Sequence, residues 1–113
     1  MIPGDDLESI ITTNAVEESH LWGILIDCQQ KYPGLSDAEI IGHLIKRLSD
    51  LIAEKKIGLY IYEAGRVYKT QEEYQVLQHH DALAVVSDTN NWRRPDAEMT
   101  VLYSLWMCEA GLQ

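Results

Sequence analysis

The chain has 113 residues, of which 46% are hydrophobic, and a formal net charge of −9. That length suits one domain with a modest core, residues 1–113, and the apolar content excludes a disordered chain. No apolar run reaches the ~18 residues of a membrane helix, and the opening MIPGDDLESI has neither the basic region nor the apolar block of a signal peptide.

Taken in chain order, residues 1–13 have no clean hydrophobic period and are expected to be irregular. A first helix is expected from Asn14, as N-cap, with Glu17 three residues on. Its buried stripe is Leu21, Ile24, Leu25 and Cys28, widened by Trp22 and Ile26. KYPG ends it, because Pro33 disfavours helical backbone at Tyr32 and Gly34 permits a turn. A second helix begins at the Ser36/Glu39 capping box and carries Ile41, Leu44, Ile45, Leu48, Leu51 and Ile52 on one face. His43, Lys46, Arg47, Asp50 and Glu54 fall on the other.

IGLYIY (57–62) alternates as a strand, with Ile57, Leu59 and Ile61 on one face. EAG (63–65) predicts a tight turn and RVYK (66–69) a short return strand. Thr70 and Glu73 predict another capped helix that turns Tyr74, Val76 and Leu77 inward and continues through DALAVVSD. TNNWRRPD (89–96) reads as a loop. MTVLYSLWMC (99–108) reads as the longest strand, pairing antiparallel with 57–62. Three or four helices on a small antiparallel sheet make an α+β, winged-helix-like domain.

The step from AEIIGHLIKRLSDLIAEKK into IGLYIY resembles the helix-to-strand step of winged-helix proteins. MCEAG resembles the strand end of such domains, with Cys108 where a Thr is common and Gly111 after Glu109 and Ala110. The chain is also similar to small bacterial proteins of uncharacterised function through LWGIL, GLSDAE and a D-x-x-NW-x-x-P loop (Asp88, Asn91, Trp92, Pro95). This likeness spans roughly residues 15–111. In size and charge the chain resembles toxin immunity proteins. The resemblance implies a winged-helix-like fold and two functions, a DNA-binding regulator or an immunity protein.

Charge is uneven along the chain. Residues 1–30 carry six acids and no Lys or Arg, residues 31–69 five acids against seven bases, and residues 70–113 seven acids against Arg93 and Arg94. DNA binding would draw on Lys46, Arg47, Lys55, Lys56, Arg66 and Lys69. Asp50, Glu54 and Glu63 interleave with them, so nucleic acid is disfavoured and a solvated mixed face is the plainer reading.

His79, His80 and a cysteine lack metal-ligand spacing, and there is no phosphate loop, nucleophile elbow or H-E-x-x-H. No metal, cofactor or catalytic residue is expected. Cys28 and Cys108 lie in apolar stretches and are expected to be reduced thiols of a cytoplasmic protein.

The remaining expectation is protein binding. Asp5, Asp6, Glu8, Glu17 and Glu18, with Glu72, Glu73 and Asp81, would form negative surfaces facing a basic partner. Trp92, beside two arginines, would be an interface anchor, or would pack over the end of the sheet. The function expected is an immunity or antitoxin protein that blocks a basic toxin, with a nuclease as the toxin. The alternative is a winged-helix transcriptional regulator. A homodimer through the first helix is left open.

Overall fold

A computed structural model of the chain describes residues 4–63, 75–93 and 101–107. It contains α1 (Gly4–Val16), α2 (Leu21–Lys31), α3 (Asp37–Ala53), β1 (Ile57–Glu63), β2 (Gln75–Val76), α4 (His79–Ser87), a 3-10 turn over Thr89–Trp92, and β3 (Val101–Met107). Among the described residues, four helices pack on a three-stranded antiparallel sheet of order β2-β1-β3, an α+β arrangement. Among the described residues no helix is long and apolar enough to cross a membrane.

The N-terminal region corrects the expected irregular segment. Leu7, Ile11 and Ala15 recur at helical spacing and are buried, so α1 has a core stripe. Asn14 is not a helix start. It lies in the last turn of α1 and is 3% exposed. Its Nδ2 donates to the Ile10 carbonyl at 2.8 Å and to Asp27 Oδ2 at 2.9 Å. The polar group pins α1 to α2 and is thereby satisfied. The residue that precedes α2 as N-cap is His20.

Helices α1 and α3 stop in the same way. After α1, the Glu18 N–H reaches the Ala15 carbonyl at 3.1 Å and the Ser19 N–H reaches Asn14 at 2.9 Å. After α3, Lys55 reaches Ile52 and Lys56 reaches Leu51, both at 3.0 Å. These paired bonds form a Schellman cap, which places Glu18 (φ 56°) and Lys55 (φ 61°) in the left-handed region. The two residues sit where glycine is usual, and that backbone costs a non-glycine roughly 1 kcal/mol.

The second predicted helix forms as α3. Its capping box is complete, with the Glu39 N–H donating to Ser36 Oγ at 3.2 Å and the Ser36 N–H donating to Glu39 Oε1 at 3.3 Å. The Ser36 backbone bond, then the Ser36 side-chain bond, hold the Glu39 carboxyl below its ordinary value. Ile40, Leu44, Leu48, Leu51 and Ile52 are buried. Each is worth roughly 1.5–3 kcal/mol of apolar burial.

β1 and β3 pair along their whole length, from Ile57↔Met107 to Glu63↔Val101. Leu59 and Leu105 face each other on the core side, both fully buried. Alternation puts Tyr60, Tyr62 and Ser104 on the opposite face.

The helix expected from Thr70 is corrected where it is described. Gln75 and Val76 form a strand on β1, paired with Ile61 and Tyr60, and Val76 is 47% exposed rather than inward-facing. Leu77 is half-buried, and helical structure starts at His79. The expected turn at 63–65, the return strand at 66–69, Thr70, Glu73 and Tyr74 lie outside the described residues, apart from the backbone of Glu63.

Candidate protein-binding surface

Among the described residues, several of the acids expected to form negative surfaces are engaged within the chain. Asp6 lies on α1 with Oδ2 3.8 Å from Lys31 Nζ, and it accepts a 3.5 Å bond from the hydroxyl of Tyr32, the residue that caps the end of α2. Glu8 pairs with Arg47 of α3. Both acids therefore hold α1 against its neighbours. Glu18 accepts a 3.2 Å bond from the Tyr60 hydroxyl. Glu17 is exposed at the end of α1, and Asp81 is exposed in the first turn of α4 with Oδ1 3.3 Å from His80 Nε2. The side chain of Asp5, and Glu72 and Glu73, lie outside the described residues.

Trp92 is a correction. It is 0% exposed, so it is no surface anchor. Its Nε1 donates to the Val86 carbonyl at 2.8 Å, and Asn91 Nδ2 donates to the Val85 carbonyl at 2.9 Å. Asp88 caps the 3-10 turn through a 3.0 Å bond from the Asn90 N–H. The D-x-x-N-W run thus supplies side-chain donors to two carbonyls at the end of α4, of which Val85 also accepts the Asp88 N–H at 3.3 Å. Its role is to finish α4 and fill the core.

The bases on and just after α3 are partly engaged. Arg47 is tied to Glu8, and Lys56 lies 3.0 Å from Glu54. Lys46 is exposed on the same helix. The face expected to meet phosphates is interrupted by its own carboxylates.

A groove of about 620 Å³ opens between α2, the start of α3 and the exit of the 3-10 turn. Trp22, Leu25, Ile26 and Ile41 give it apolar walls, and Gln29, Asp37 and Arg93 give it polar ends. Gln29 Nε2 donates to Asp37 Oδ1 at 2.7 Å, which fixes the polar end beside α3. Trp22 Nε1 is buried with no acceptor in reach among the described residues. A smaller hollow that Trp22 also lines is bounded by His20, Asn91, Arg93, Leu102 and Tyr103. Apolar walls with few polar groups are typical of a binding cleft.

No family model, curated protein or solved structure matches the chain.

Cys28 is fully buried, and its thiol is pushed up to about 11, by burial first and then by Asp27, so it is protonated at neutral pH. His79 and His80 are exposed, and among the described residues no three His, Cys, Asp or Glu side chains cluster as metal ligands would. A hollow of about 420 Å³ between α1 and α2 is lined by Ser9, Thr13, Asn14, Asp27, Gln30 and Lys31 among others.

The sequence reading did not find the groove. Its one local signal was Trp22 and Ile26, four residues apart beside the core stripe of α2. Arg93 and Asp37 come to it only through packing.

Proposed function

We propose that this chain is a non-catalytic, acidic protein-binding module. Its partner is a basic protein, and the best-fitting class is an immunity or antitoxin protein that covers the active surface of a cognate nuclease toxin. The observation that carries this reading is where the bases go. Lys31, Arg47 and Lys56 each lie on a carboxylate of the chain itself, within a protein of net charge −9. Lys46, Lys55 and Arg93 are exposed as well, but the net charge of −9 leaves acids in excess, with Glu17 and Asp81 among the exposed ones. Such a field repels phosphate and speeds encounter with a basic surface. The Trp22 groove offers the buried apolar contact that charge alone does not supply, and Asp37 at its edge suits a partner cation.

The test uses the purified chain and the product of the neighbouring gene. A one-to-one complex is expected, with an association rate that falls as salt rises. Ile26→Ala, which trims a half-buried groove wall, should weaken it by about tenfold. Salt-sensitive retardation of random duplex DNA at micromolar protein, with no such complex, would overturn the reading in favour of a DNA-binding regulator.

A further inference from the structure

We propose that His20 is a protonation-sensitive latch that holds the α1–α2 junction to the outer edge of β3. The junction lies beside β3 as an added rung. His20 and Ser104 form an isolated antiparallel bridge, and the Leu105 N–H donates to the Ser19 carbonyl at 3.0 Å. A side-chain contact reinforces the rung, with His20 Nδ1 2.6 Å from Ser104 Oγ, and Ser104 is 0% exposed. The His20 ring also tilts against Tyr62, with centroids 5.2 Å apart. Nothing else among the described residues hydrogen-bonds to the outer edge of β3 along its backbone.

The groups around His20 determine what a proton does there. From β3 it meets the hydroxyl of Ser104, and from β1 the ring of Tyr62. Tyr103 of β3 and Arg93, beyond the 3-10 turn, line the same small hollow, so the cation there is of like sign. Glu18, two residues earlier in the chain, accepts from Tyr60 on the same face of the sheet. Among the described residues no carboxylate pairs with His20. An imidazolium would therefore sit half-buried without a counter-ion, which low-polarity surroundings disfavour.

Burial lowers the His20 pKa from its ordinary 6.5. The sign follows directly. An opened junction takes up a proton more readily than a closed one, so the latch is at full strength above pH 6.5 and weakens as pH falls below it. Opening frees the Leu105 N–H and the β3 edge, a template for strand pairing. The latch is thus a route by which acidity would uncover a sheet edge.

The test is amide exchange of the full chain followed by NMR, from about pH 7.5 to about pH 5, corrected for the intrinsic chemical rate. In the native protein, Leu105 should lose protection by about threefold or more as pH falls, and His20→Gln should remove that pH dependence. Constant protection in the native protein, or the same pH dependence in H20Q, overturns the proposal. Should H20Q not fold, the ring titration of His20 in the native chain decides. An apparent pKa below 6.5 supports the latch, and one at or above it overturns it.

Discussion

Trp92 Nε1 donates to the carbonyl oxygen of Val86 at 2.8 Å, and both residues are fully buried. One indole thereby fills the core between α4 and the rest of the protein and satisfies a carbonyl at the end of α4. Leaving that acceptor without a donor costs more than the bond itself contributes, because water cannot reach it.

Trp92→Phe keeps most of the volume and removes the donor. It should lower unfolding free energy by about 1–2 kcal/mol in denaturant titration, with the denaturant slope unchanged. A smaller loss than about 0.5 kcal/mol would mean that the Val86 carbonyl finds another donor.

The same substitution at Trp22 should go the other way. Trp22 Nε1 is buried with no acceptor among the described residues, so Phe removes a desolvated donor and no bond. Stability of Trp22→Phe should be unchanged or higher by up to about 1 kcal/mol. A loss as large as that of Trp92→Phe would reveal an acceptor for the Trp22 indole.

Gly42 lies in the middle of α3 on its exposed side, and an added Cβ would meet nothing within 4 Å. Alanine restricts the unfolded chain more and favours helix. Gly42→Ala should raise unfolding free energy by about 1 kcal/mol and the melting temperature by about 4–8 °C.

Cys28 should resist alkylation while the protein is folded. With its thiol at about 11, on the order of one in a thousand is ionised at about pH 8, and none of it is exposed. Peptide mapping after iodoacetamide should find Cys28 modified only once denaturant unfolds the chain. The folded value lies above the ordinary 9.0, so this group's contribution to stability is complete below pH 9.0 and lost as pH rises toward 11.

What the sequence determined was local. The Ser36/Glu39 box and the stripe of α3 involve groups three or four residues apart, which one helix turn brings together by itself. The alternation in 57–62 and in 101–107 was enough to pair β1 with β3, because each had one apolar face to bury. Where local signals misled, a distant partner had won. Asn14 and Glu17 have the spacing of a helix start, but Asp27 of the next helix takes the Asn14 amide. The apolar spacing of Leu7, Ile11 and Ala15 was present, yet it signified a helix only once α2 and α3 covered it. Thr70 and Glu73 suggested a helix through Val76, yet β1 recruits residues 75–76 as a strand.

The charges of Asp6 and Glu8 were plain, but their engagement was not. Lys31 is 25 residues from Asp6 and Arg47 is 39 from Glu8, separations that no periodicity encodes. The same holds for the groove, where Trp22, Asp37 and Arg93 meet across three segments. Backbone preference and hydrophobic period decide which elements form, since both act within a few residues. Which acids stay free, which tryptophan is core and where a cleft opens depend on contacts between elements, and only the packed chain sets those.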